Sequence, residues 1–170
     1  LSACIFLSAC NDSSDSDSSS SSSNVPENNI QNPVVGIPTA YTQSGMDQVA
    51  GESVVMTYKM LGISGQEVLA TSLVFTPKGT PPSAGWPIVA WAHGTTGVAD
   101  ICAPSRNVMD ENVKTMITQL LAQGYVVVAP DYEGLGEPNG KEIHPFLNVK
   151  SEAYSITDAV VAAKSYLGAK

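Results

Sequence analysis

None of the chain's 170 residues sits in an apolar segment as long as a membrane-spanning helix needs, about 18 residues. Basic residues are few: 8 Lys and Arg stand against 16 Asp and Glu, for a net charge of −8. That balance supplies no basic stripe, and nucleic acid is excluded as a partner. Part of the acidic excess sits at Asp12, Asp15 and Asp17, so the charge says little about other partners. Only 3 Cys and 2 His are present. No cluster of them has the spacing of metal ligands, so a structural zinc is not expected. Aromatic residues amount to 6 %, and all but Phe6 lie beyond residue 40, where the branched apolar residues also gather. One modest domain with its own core fits residues 41–170, and the first forty residues stand apart from it.

Those first residues divide in two. The opening decapeptide, 1–10, starts on Leu and looks like the end of a secretory signal whose basic start is missing. Within it, Leu7-Ser8-Ala9-Cys10 resembles the lipobox of bacterial lipoproteins, in which small residues admit the peptidase and the Cys thiol takes a lipid. Leu1-Ser2-Ala3-Cys4 fits the same pattern, but apolar sequence continues past Cys4 and polar sequence begins at Asn11, which favours Cys10. Residues 11–24 are almost entirely Ser and Asp, too poor in apolar area to offset their ordering entropy. Together with a lead-in containing Pro26, Pro33 and Pro38, residues 11–40 are expected to form a disordered tether holding a domain off a membrane. Contact with a membrane is expected only through the lipidated Cys. The protein is expected to be exported, either lipid-anchored to a bacterial membrane or secreted.

The domain is organised around Trp86-Pro-Ile-Val-Ala-Trp-Ala-His-Gly-Thr-Thr-Gly97. Its apolar run at 88–92 predicts a strand buried on both faces of a parallel sheet. Loops at the carboxyl ends of such strands are where α/β folds bind and react. Upstream, Val54, Met56, Tyr58 and Met60 alternate with Val55, Thr57 and Lys59, and Gly62-Ile63-Ser64-Gly65 turns the chain into a second strand at 67–76, making a hairpin. Downstream, Val113, Met116, Ile117, Leu120 and Leu121 share the face of a helix over 107–123, closed by Gly124 as a left-handed cap. Residues 125–130 form a second buried-type strand, so strand, helix and strand make a βαβ unit. A last helix over 151–167 carries an apolar stripe of Ile156, Ala159, Val160, Ala163 and Leu167.

This order of elements, with His93-Gly94 closing one strand and Ala-Pro-Asp-Tyr-Glu-Gly-Leu-Gly closing the next, resembles the N-terminal half of an α/β-hydrolase. Gly94-Thr95-Thr96-Gly97 followed by Cys102-Ala103-Pro104-Ser105 is similar to the secretory-lipase family. The run from Gly124 to Gly136 and His144-Pro145-Phe146 add to the likeness, which covers about residues 50–170. The resemblance implies ester hydrolysis by a Ser nucleophile on a Gly-x-Ser-x-Gly elbow, with an acid and a His following it in the chain and no cofactor. No such elbow is present: Gly62-Ile63-Ser64-Gly65 lacks the spacing, and Gly51-Glu52-Ser53 starts a strand instead of ending one. The nucleophile, acid and base are expected beyond Lys170. The chain is expected to be an inactive fragment of a lipase or esterase, with the strand at 125–130 left as an unpaired apolar edge.

Within the fragment, Gly94 and Thr95 are the candidates for an oxyanion hole, with Thr95 favoured over Thr96; the alternative is a plain strand-to-loop turn. His93 precedes any possible nucleophile in the chain, whereas the base His of this fold comes last. It is expected to shape the loop through a hydrogen-bonded ring. His93, Thr96 and His144 are candidates for the pocket wall. Asp131 is expected to satisfy backbone N–H groups beyond its strand, and Glu133 to lie on the surface. The resemblance implies a disulfide from Cys102 to a Cys beyond Lys170; the alternative is a buried free thiol. The expected partner is an ester or lipid substrate. Two other functions are compatible: a non-catalytic, surface-anchored binding lipoprotein, and an exopeptidase or aromatic-ester hydrolase of the same fold.

Overall fold

The sheet begins earlier than the composition suggests. In the computed structural model, which describes residues 29–136 and 141–168, Val34–Ala40 is a strand, β1. It pairs antiparallel with Glu52–Leu61 (β2), so the expected boundary of the tether at residue 40 is corrected. The pairing slips between Val35 and Thr39, and among the described residues β1 has no second neighbour. An edge position is where a sheet accommodates Pro38 and an irregular register, which is why no period-two pattern marks this strand. The lipobox, Cys4, Cys10 and the serine-rich tract lie outside the described residues.

A single helical turn, α1 (Met46–Val49), seats Met46 in the core before β2. The predicted hairpin forms: β2 pairs with Glu67–Thr76 (β3) from Glu52 opposite Thr76 to Leu61 opposite Glu67. Ile88–Ala90 (β4), Glu111–Ala122 (α2) and Val126–Pro130 (β5) make the βαβ unit, with β4 and β5 parallel. Val149–Gly168 is the last helix, α3. The sheet order is β1-β2-β3-β5-β4.

That order corrects two expectations about strands. β5 is no open edge: it lies between β3, antiparallel to it, and β4. The edge is β4, whose Ile88 and Val89 are half-buried and whose Ala90 is exposed. The burial expected for β4 belongs to β5. Val126 and Val128 pack with Ala159, Ala162 and Ala163 of α3. Val127 and Ala129 pack with Ile117 and Leu121 of α2 on the opposite face. A strand apolar on both faces is stable only where both are covered, and the centre of the sheet supplies that.

The helices differ from their predicted limits at the ends. α2 starts at Glu111 because the Asp110 side chain caps it, accepting from the N–H groups of Asn112 and Val113. Gly124 takes the left-handed conformation past its end, at φ 86°. In α3 the buried face is turned from the expected stripe. Ser151, Ser155, Asp158, Ala159, Ala162 and Ala163 are buried, while Ile156 and Val160 are half-buried. Small residues let the helix approach the sheet closely, and its buried polar groups have partners. Asp158 Oδ2 accepts from the Leu61 N–H at 2.9 Å, and the Tyr58 hydroxyl donates to the Ser155 carbonyl at 2.8 Å. Among the described residues no helix is long and apolar enough to cross a membrane.

Candidate active site

The helices that follow β4 and β5 cover opposite faces of the sheet, so the chain parts at the carboxyl ends of these two strands and leaves a crevice. Two loops border it, residues 92–97 after β4 and residues 131–136 after β5. A cavity of about 210 Å³ lies there. His93, Gly94, Thr95, Thr96 and His144, the candidates for the oxyanion hole and the pocket wall, all line it.

The first loop is held from its base. The His93 ring stacks on the Tyr132 ring at 4.2 Å between centroids, and its Nδ1 and Nε2 lie 2.6 and 3.3 Å from the carbonyl oxygens of Gly94 and Asp131. The Tyr132 hydroxyl donates to the His93 carbonyl at 2.7 Å. Tyr132 performs this at φ 76°, a conformation unfavourable for a side chain larger than glycine. Strain of that kind, on the order of 1–3 kcal/mol, persists where surrounding contacts over-determine the backbone, and such places cluster at functional sites. Burial and the nearby Glu152 carboxylate push the Tyr132 hydroxyl up to about 12, so it remains a donor through the neutral range.

Beyond His93 the loop is open. Among the described residues, none of the backbone N–H groups of Gly94, Thr95, Thr96 and Gly97 donates to a protein acceptor. Gly94, Thr95 and Thr96 are exposed. Gly97, at φ 136°, packs so closely on Cys102 that a Cβ there would collide with Sγ. Cys102 is a half-buried free thiol among the described residues, and its side chain buttresses the far end of the loop.

The second loop is the reverse. Asp131 is fully buried and accepts from the Thr71 hydroxyl at 2.6 Å and the Ser105 N–H at 2.9 Å. It does satisfy a backbone N–H, but one 26 residues earlier in the chain, and so pins the Pro104–Arg106 turn to β3. Burial raises its carboxyl above the ordinary 3.8, while the bonds from Ser105 and Thr71 pull the other way. Glu133, expected on the surface, is 3 % exposed. Its Oε2 accepts from the Ser151 hydroxyl at 2.5 Å, and its N–H donates to the Ser155 hydroxyl at 3.0 Å. The start of α3 covers this carboxylate and provides the partners that permit its burial. His144 is held in turn, its Nδ1 2.7 Å from the Glu133 carbonyl oxygen.

Sequence reasoning missed Tyr132, Leu135, Phe146, Leu147 and Glu152 as members of the cavity wall. Tyr132 carried a signal, an aromatic residue directly after a strand end; Leu147 and Glu152 carried none. Among the described residues no group of three or more His, Cys, Asp or Glu is placed to hold a metal ion.

No family model and no curated protein matches the sequence. Solved structures do. Lipase A of Candida antarctica in its closed state superposes with a TM-score of 0.60 at 20 % identity, over 82 % of this chain and 33 % of its own. The rice cell wall degrading esterase LipA of Xanthomonas oryzae superposes with a TM-score of 0.58 at 26 % identity, over 81 % of this chain and 38 % of its own. The chain therefore has the α/β-hydrolase fold, and it spans between a third and two-fifths of the length of these structures.

Proposed function

We propose that the chain is the N-terminal part of a serine carboxylic-ester hydrolase, lipase- or esterase-like, and that it supplies one half of the oxyanion hole. The observation that carries this is the row of N–H groups from Gly94 to Gly97, set on the cavity with no acceptor among the described residues. Donors left unpaired beside a crevice at the carboxyl ends of parallel strands suit a charge that appears only during reaction. Thr95 and Gly94 are the donors; His93 and Tyr132 hold them in place. Phe146 and Leu147, 49 % and 75 % exposed at the cavity, offer apolar surface to an acyl group. The likeness to a lipase and an esterase supports the same chemistry. The open edge of β4 suits a further strand ending in the nucleophile elbow, with Ser, acid and His following Lys170. Residues 1–170 alone then hydrolyse no ester. Export and anchoring through a lipidated Cys10 belong to the same proposal, as does a disulfide from Cys102.

The test is Thr95→Pro in the complete gene product, which removes the N–H. Loss of one oxyanion donor lowers kcat by roughly 10²–10³-fold. Thr95→Ala, which keeps the N–H, should lose far less. Equal losses in the two variants on a short-chain nitrophenyl ester would contradict the assignment. A complete gene product with no Gly-x-Ser-x-Gly after a strand would favour a binding lipoprotein. Faster turnover of peptides than of acyl esters would favour an exopeptidase.

A further inference from the structure

One polar group on the cavity wall is left unused by oxyanion binding. His144 is 8 % exposed, and its Nδ1 faces the carbonyl oxygen of Glu133 at 2.7 Å. A carbonyl only accepts, so this contact keeps the proton on Nδ1 and leaves Nε2 of the neutral ring as a bare acceptor. Among the described residues Nε2 has no hydrogen-bond partner, and no buried side-chain nitrogen or oxygen goes unpaired. Nε2 is therefore accessible, on a residue that lines the cavity. His93, the other imidazole on this wall, has both ring nitrogens against main-chain carbonyls and nothing to spare. The position of His144 is also fixed from behind: its backbone N and the Ile143 carbonyl carbon fill the space where a Cβ at Gly134 would stand.

We propose that His144 is a specificity-determining residue whose Nε2 accepts a hydrogen bond from a free hydroxyl on the substrate. The site then selects neutral, hydroxyl-bearing esters, such as a polyol carrying a single acyl group. This rests on the ester-hydrolase function proposed above and adds the substrate class. The Glu152 carboxylate on the same wall disfavours an anionic ester, and Phe146 supplies an apolar surface for the acyl part. An ester without the hydroxyl would expel water from Nε2 and give nothing back. Sites built to pair with a substrate hydroxyl discriminate against analogues lacking it for this reason.

The experiment compares glycerol monobutyrate with propyl butyrate on the complete gene product. Wild type is expected to favour the glycerol ester about tenfold in kcat/KM, the worth of one hydrogen bond. His144→Asn should abolish that preference, because its amide can still donate to the Glu133 carbonyl but offers nothing at the position of Nε2. Independently of catalysis, glycerol monobutyl ether should shift the nitrogen resonance of His144 Nε2 in wild type, and butyl propyl ether should not. A wild-type ratio near one, a ratio unchanged in His144→Asn, or an unmoved resonance each overturns the proposal. Should His144→Asn fail to fold, the wild-type ratio and the resonance decide. If wild type hydrolyses neither ester, the hydrolase function falls as well; if it hydrolyses both equally, only the role of His144 does.

Discussion

The loops after β4 and β5 leave neighbouring parallel strands and are built in opposite ways. Every residue from 131 to 136 is buried, and the polar side chains of Asp131, Tyr132 and Glu133 all have partners. The loop from 92 to 97 is mostly exposed, and its four N–H groups from Gly94 onward have no acceptor among the described residues. The glycines follow the same division. A Cβ at Gly134 would run into the backbone of Ile143 and His144, whereas one at Gly94 would meet nothing within 4 Å. The loop at 131–136 is a mould, its cost met by internal hydrogen bonds. The loop at 92–97 is the surface cast on it, joined through Tyr132 and His93. A site that must bind charge keeps its donors unpaired, and it can do so only if something adjacent is rigid.

The same substitution made in both loops would break this contrast most clearly. Gly134→Ala combines a backbone collision with a left-handed φ of 73° and should destabilise by about 3 kcal/mol or more, measured as the shift in denaturant midpoint. Asp131→Asn sharpens the picture through pH. The folded carboxyl is raised above 3.8, chiefly by burial, so its contribution to wild-type stability is fully present below that value. The contribution is lost as pH rises through the folded value. The Tm of Asp131→Asn relative to wild type should therefore climb from acid toward neutral pH. A difference that stays level would show that the carboxyl's burial is not felt.

A smaller effect is expected at the link between the loops. Tyr132→Phe removes the donor to the His93 carbonyl and should cost about 1 kcal/mol in thermal unfolding. It should also raise hydrogen exchange in residues 93–97 more than in residues 131–136; a uniform rise would deny the coupling. Smallest is Gly94→Ala, expected within about 0.5 kcal/mol of wild type by denaturant unfolding.

Much of this was legible in the chain. The hairpin of β2 and β3 follows from period-two alternation and a glycine turn, both of them local. The position of the crevice follows from apolar runs that end in His93-Gly94 and in Asp131-Tyr132, because strand ends in α/β folds are marked by small and polar residues. Strand β1 was hidden because its prolines and slipped register erase the pattern. Glu133 was misplaced because a carboxylate is sent outward by default, and its partner Ser151 arrives from 18 residues along the chain. The face of α3 was turned for a similar reason: Ser155 and Asp158 look like surface residues until Tyr58 and Leu61 meet them.

Sequence alone determined the local elements, the α/β class and the two stretches that carry the candidate site, because periodicity and turn chemistry act over a few residues. Tertiary structure decided which strand is central and which is the edge. β4 and β5 are both short apolar runs, and what separates them is the pairing of β5 with β3, which leaves β4 at the edge. It also decided which polar groups are spent and which remain free. Hydrogen bonds between residues far apart in the chain bury Asp131 and Glu133 and tie down His93, while the N–H groups after His93 and the Nε2 of His144 stay open to the cavity.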